Sequence, residues 1–275
     1  IVVNQFFRTA SNERCSFFGN LSLGTDISLF ELRELYDVVV LAYGAESDRT
    51  LNVSGEALAG VHSAREFVWW YNGHPDFSSM APDLENTDTA LILGQGNVAL
   101  DVARILLRPA SELATTDIAD HALDALYKSS IRKVYLVGRR GPVQAACTTK
   151  ELREILSIKN LNIHVKESDL LKSPADEEEL SSSRIQRRVY ELFSKSASSS
   201  LSHSVSGQRE LHFIFFRRPD RFMPSIDNKV SGVSFEKTYL TGNVESGKQY
   251  AVGTGQFEDL EAGLVVSLKT WKREY

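Results

Sequence analysis

The chain has 275 residues, enough for one large or two modest domains, and its hydrophobic share of 42% suits a chain with a buried core. A formal net charge of −5 argues against a nucleic-acid partner, and Cys15 and Cys147 are too far apart for a C-x-x-C dithiol or a disulfide scaffold. No apolar run approaches the length of a membrane span, and Ile1-Val2-Val3-Asn4 has neither an initiating Met nor a signal-peptide pattern, so the chain reads as a piece of a longer protein.

In chain order, Cys15 to Gly24 suggests a strand ending in a turn. Ser28 followed by Leu29 to Leu35 predicts a short helix, with Ser28 as cap and Glu31 three residues on. Asp37 to Ala45 is a β-branched apolar run closed by Gly44, the pattern of a buried parallel strand. From Thr50 to Asp83 glycines and prolines punctuate an aromatic cluster of Phe67, Trp69, Trp70 and Tyr71, read as packing between domains.

Thr87 to Arg104 is the most informative stretch. Ala90 to Leu93 is a short apolar strand, Gly94, Gly96 and Ala99 form G-x-G-x-x-A, and Ala99 to Leu107 has helical periodicity. In a strand–turn–helix setting the first glycine permits the turn, the second lets a pyrophosphate approach the backbone, and Ala99 lets helix and strand pack closely. A helical insert is expected over Ser111 to Ser130, and Ile131 to Gly141 gives the next strand. Its end carries Arg139 and Arg140 where an NAD site places an acid. Forked guanidinium donors there suit the 2′-phosphate of NADP.

Thr148 or Thr149 caps a helix reaching Leu156, with Glu151 placed either to serve its N-terminus or to accept from a cofactor hydroxyl. Leu161 to Val165 reads as a strand on which His164 is a packed or exposed strand residue rather than a catalyst. Arg184, Arg187, Arg188 and Glu191 share one helix face, with Ile185, Val189, Leu192 and Phe193 on another; Ser194 to Gly207 is Ser-rich and reads as a flexible loop. Leu211–Phe216, Val230–Thr238 and Glu245–Gly253 predict a β-rich meander, and Asp259–Ser267 one more returning strand. The expected class is α/β, a Rossmann-type parallel sheet with a β-rich excursion. No hydrolase motif or metal-ligand spacing stands out among the six His and two Cys.

Six segments then carry a resemblance: Arg14-Cys-x-Phe-x-Gly-Asn20, Tyr43-Gly-Ala45, Trp70-Tyr-Asn-Gly73, Leu91 to Arg104, Leu136-Val-Gly-Arg-Arg-Gly-Pro142 and Lys150-Glu-Leu-Arg-Glu154. Together they resemble the mitochondrial NADPH:adrenodoxin (ferredoxin) reductase family along nearly the whole chain. The resemblance implies a flavoprotein in which FAD takes hydride from NADPH and passes electrons singly to a 2Fe–2S ferredoxin of the adrenodoxin type. It assigns residues 1–84 to the middle of a split FAD-binding domain, 85–257 to the NADP-binding domain and 258–275 to the return toward the FAD domain, with an atypical tail after Ser267. It places NADP on Gly94, Gln95, Gly96, Asn97, Val98, Arg139, Arg140 and Glu151, ferredoxin docking on Arg153, Arg184 and Arg188, and no proton-transferring catalytic residue. It further implies a mitochondrial location and a peripheral association with the inner membrane. The family's N-terminal FAD glycine motif and its C-terminal G-W-x-x-R-G-P-T-G segment have no counterpart in the 275 residues. The residues themselves leave open a truncated, inactive nucleotide-binding fragment, or a pyridine-nucleotide flavoenzyme of the glutamate synthase small-subunit type.

Overall fold

The computed structural model describes residues 2–42, 50–200, 208–242 and 249–268. Contacts divide the chain into two units, 1–47 and 48–275.

In the first unit, helix α1 (Val2–Ala10) is followed by an irregular stretch and helix α2 (Leu29–Leu35). Ser28 caps α2 as expected: its hydroxyl accepts from the Glu31 N–H while the Glu31 carboxylate takes the Ser28 N–H. Two expected strands are absent. Cys15 to Gly24 has no ladder, only an isolated bridge between Leu23 and Ile27. The described part of the apolar run, Asp37 to Ala42, is also unpaired, and Val38 and Val40 are 76% and 79% exposed. A parallel strand exists only where neighbours take up its backbone groups, and among the described residues none flanks this one. Tyr43 to Ala45 lies outside the described residues.

The second unit is built on a six-stranded, wholly parallel sheet. Its elements in order are β1 (Val61–Ser63), α3 (Ala64–Tyr71), β2 (Thr89–Leu93), α4 (Asn97–Leu107), α5 (Ala110–Leu113), α6 (Asp120–Tyr127), β3 (Lys133–Val137), α7 (Thr149–Leu156), β4 (Leu161–Val165), α8 (Pro174–Ser182), α9 (Arg184–Ser200), β5 (Arg209–Ile214), β6 (Arg217–Pro224), β7 (Val230–Thr241), β8 (Tyr250–Glu261) and β9 (Leu264–Ser267). The sheet order is β1-β9-β2-β3-β5-β4, and β6-β7-β8 form a separate antiparallel sheet.

Strand alternation explains the two cores. Ala90 and Ile92 of β2 face one way, with Val134 and Leu136 of β3 and Leu211 and Phe213 of β5, onto Val102, Leu106, Leu152, Ile155, Val189 and Phe193 from the helices. Leu91 and Leu93 face the other way, with Val137, Ile214 and Val265, onto Phe222, Val233 and Phe235 of the antiparallel sheet. A strand covered on both sides is apolar at every position, which is why Ala90 to Leu93 carries no polar alternation. Each fully buried Leu or Ile contributes about 1.5–3 kcal/mol relative to exposure.

The remaining departures have local causes. The helix expected over Ser111 to Ser130 is two short ones, because Thr115 and Thr116 turn their hydroxyls back to the carbonyls of Glu112 and Leu113 and end α5. Ser194 to Ser200, expected in a loop, continues α9: Ser196 and Ser198 donate to the carbonyls four residues back, while Phe193 and Ala197 are buried. Residues 201–207 lie outside the described set, as do 243–248 and 269–275. Leu211 to Phe216, expected in the meander, is mostly β5 of the parallel sheet. The meander instead begins with β6, whose Arg217-Arg-Pro-Asp-Arg sequence hides a strand. Proline is tolerated there because β6 is an edge strand with a register shift between Pro219 and Arg221.

Candidate functional site

The carboxyl ends of β2 and β3 lie side by side, Leu93 opposite Val137, so the glycine turn and the arginine turn leave the sheet as neighbours. The Gly94 N–H donates to the Val137 carbonyl at 2.8 Å. Gly94 has φ +147°, and a Cβ there would lie 3.1 Å from Leu268 Cβ, so conformation and space both call for glycine.

Gly96 is different. It is the N-cap of α4, with φ −97° and ψ −177°, angles open to any residue. A Cβ added to it would meet nothing nearer than the Ala146 carbonyl at 4.0 Å. At such a cap Ser, Thr, Asp or Asn is worth about 1 kcal/mol over residues that cannot accept the helix N–H groups, yet α4 has no side-chain cap bond. The folded chain thus leaves its helix N–H groups uncapped and the space in front of them open. A phosphate fits that donor set and that clearance.

Gln95 behaves unexpectedly. Its side chain is buried, and its Nε2 donates to the carbonyls of Leu136 (3.3 Å) and Ile214 (2.9 Å), tying the glycine turn to β3 and β5. A Cβ on Gly138 would fall 2.3 Å from Gln95 Oε1, so Gly138 is the clearance for this amide. Gln95 therefore has only backbone to offer a nucleotide. The Asn97 carboxamide oxygen accepts from the Thr148 N–H at 2.8 Å, joining the N-terminus of α4 to that of α7, which Thr148 caps. Val98, in the first turn of α4, is 44% exposed.

Arg139 is exposed and Arg140 half-buried, and neither guanidinium has a hydrogen bond or ion pair among the described residues. Burial, then the neighbouring Arg139, holds the Arg140 pKa below the ordinary arginine value, with Glu179 pulling the other way. Their backbone is fixed: the Arg139 carbonyl accepts from Thr238 Oγ1 at 2.8 Å and the Arg140 carbonyl from the Phe216 N–H at 3.3 Å.

Glu151, three residues into α7 from its cap, lies 3.9 Å from Arg104, which also binds Asp101 and Glu154. Burial, opposed first by Arg104, pushes the Asp101 carboxyl up, with Glu151 and Glu154 adding to the rise. The arginines expected to dock a ferredoxin are exposed: Arg153 on α7, and Arg184 and Arg188 on α9, helices that pack together. Arg187 of the same run serves the fold by donating to the Leu180 and Ser181 carbonyls at the end of α8, and Ile185, placed on the apolar face of this helix, is 68% exposed. Two partners, Gly138 and Thr148, were missed as site residues. Each sits within a turn already singled out, but the need for it appears only when distant strands meet.

A parallel α/β sheet whose inner strand runs through a glycine turn into a helix defines a Rossmann-type fold of the kind that binds dinucleotides. The structure superimposes on FprA of Mycobacterium tuberculosis in complex with NADPH, with TM-score 0.88 and 39% identity over 97% of this chain and 57% of that one. The chain is a homologue of the NADPH:adrenodoxin oxidoreductases. It is 63% identical over 275 residues to the mitochondrial enzyme of Arabidopsis thaliana and 44% identical over 272 residues to that of Bos taurus. These matches take in 99% and 97% of this chain but 57% and 54% of the relatives, so it spans little more than half their length. No protein-family model matches the chain.

Proposed function

We propose that the chain is the NADPH-binding part of a flavoprotein that passes electrons from NADPH through FAD to a 2Fe–2S ferredoxin of the adrenodoxin type. The observation that carries the reading is the uncapped, open N-terminus of α4 at Gly96, one strand away from the unpaired Arg139 and Arg140. The backbone of Gly94, Gln95, Gly96, Asn97 and Val98 holds the pyrophosphate, Arg139 and Arg140 hold the 2′-phosphate, and Glu151 accepts from a nucleotide hydroxyl. Bound cofactors supply hydride transfer from NADPH to flavin and single-electron transfer onward. The chain's own groups bind and orient; none is assigned a proton-transfer step.

Among the described residues only 94–99 forms a strand–turn–helix glycine motif. In this reading residues 1–84 and 258–275 contribute to the flavin lobe, and 85–257 form the NADP lobe. Arg153, Arg184 and Arg188 form a basic face suited to an acidic ferredoxin. The relatives' names support a mitochondrial location, and none of the described helices is long and apolar enough to cross a membrane. A matrix position with peripheral association to the inner membrane completes the proposal.

The test is binding of NADP and NAD to the chain and to Arg139→Ala/Arg140→Ala. Losing charge-assisted bonds worth about 1.5–3 kcal/mol predicts NADP weakened roughly ten- to hundredfold, with NAD little changed. Equal affinities in parent and variant overturn the assignment.

A further inference from the structure

On the sheet face away from the helices, β4 and β5 bring together three side chains that the nucleotide site does not use. His164 pairs in register with His212, and Glu210 lies two residues before His212 on the same face of β5. The two imidazoles stack with centroids 4.2 Å apart and planes 13° apart, and the Glu210 carboxylate lies 2.8 Å from His212 Nε2. One potential ligand atom from each of the three comes within 4.8 Å of the others. His164 Nε2 is buried with no hydrogen-bond partner. Leaving a buried polar atom unpaired costs about 1–3 kcal/mol, so this nitrogen lacks a counterpart rather than merely filling space.

We propose that His164, Glu210 and His212 form a binding site for a divalent late first-row metal ion, with zinc as the reference ion. Two imidazole nitrogens and one carboxylate oxygen suit zinc, cobalt, nickel or copper, whereas magnesium and calcium prefer all-oxygen sites. Tetrahedral zinc at its usual bond lengths sets ligand atoms about 3.3 Å apart, so the Glu210–His212 hydrogen bond at 2.8 Å must open and the wider separations must close around the ion. A metal ion lies in the plane of each imidazole it binds, so one ring must swing out of the stack, a rotation about a soft terminal torsion.

Burial holds the His212 pKa below the ordinary histidine value, and the His212 hydrogen bond is the largest influence holding Glu210 below the ordinary carboxylate value. Tyr135 packs its ring against His212, and Lys133, opposite Glu210 in β3, is a cation whose field reaches the carboxylate. Since β4 is the outermost strand of the sheet, the ion would clip an edge strand to its neighbour, with water completing the coordination.

The experiment uses the full chain carrying Cys15→Ser, which removes the exposed thiol as a rival ligand, after treatment with a chelator. Zinc binding is followed by calorimetry and cobalt binding by its visible absorption. The expected result is one ion per chain, with affinity reduced at least about tenfold in each of His164→Gln and His212→Gln while circular dichroism and the thermal midpoint without metal stay as in the parent. The proposal is overturned if the parent takes up neither ion. It is equally overturned if the glutamine variants fold normally and bind as tightly as the parent. If a glutamine variant fails to fold, Glu210→Gln, on the partly exposed side of the cluster, gives the same discrimination.

Discussion

Gly138→Ala isolates the contact that makes one unit of the glycine and arginine turns. Gly138 does not have positive φ, so alanine introduces no backbone strain, but its methyl would fall 2.3 Å from Gln95 Oε1. The Gln95 amide must then leave its place and give up its bonds to the Leu136 and Ile214 carbonyls. Two lost bonds at about 1 kcal/mol each, plus the cost of buried groups left unpaired, amount to about 2–4 kcal/mol. For a domain of this size that lowers the thermal midpoint by roughly 5–15 °C. The assay is thermal melting followed by circular dichroism, run as a cycle with Gln95→Ala. In the Gln95→Ala chain the three atoms nearest the methyl, all of the Gln95 amide, are gone, so Gly138→Ala should cost less than about 0.5 kcal/mol. A Gly138→Ala penalty of the same size in both backgrounds refutes the steric account.

Three further outcomes follow from the same structure. Gly96→Ala should melt within a degree or two of the parent, because the new methyl meets only open space, yet lose NADPH affinity roughly tenfold or more; unchanged affinity in titration would remove the pyrophosphate from this position. Burial pushes the Cys147 thiol up to about 11 while Cys15 is exposed, so a thiol reagent at mildly alkaline pH should modify one cysteine in the folded chain and two after denaturation, with peptide mapping locating the first at Cys15. The hydrogen bond from Arg217 holds the Glu258 carboxyl below its ordinary 4.5. A lowered folded pKa stabilises above that value and the benefit is lost as pH falls through the folded pKa; urea melts should therefore show a smaller acid-side loss for Glu258→Gln than for the parent, and parallel losses would argue against the pair.

How much of this was legible depends on where the information resides. The Thr89–Leu107 unit could be read because its strand, turn and helix are local in sequence, and because burial on both faces makes Ala90 to Leu93 uniformly apolar. The capping of α2 by Ser28 and Glu31 was legible for the same reason. Asp37 to Leu41 has the composition of a core strand without the pairing, since composition reports what a segment could bury and not whether anything lies beside it. β6 failed the other way: Pro219 and three arginines mask a strand that exists because β7 supplies its ladder. Arg139 and Arg140, proposed for the 2′-phosphate, stand out in the sequence as an exception to the acidic rule at that strand end. The reach of Gln95 to Ile214, 119 residues away, depends on β3 and β5 being neighbours, which no local pattern states.

The position of β9 has a consequence for how the protein is made. Val61–Ser63 and Thr89–Leu93 are separated in the sheet by Leu264–Ser267, so the gap between two early strands is filled by a segment translated about two hundred residues after the first of them. At ordinary elongation rates that is a wait of roughly 10–40 s. During that interval the facing edges of both strands stand open on the ribosome, and a chaperone able to shield them would guard the nascent chain against pairing with a stranger.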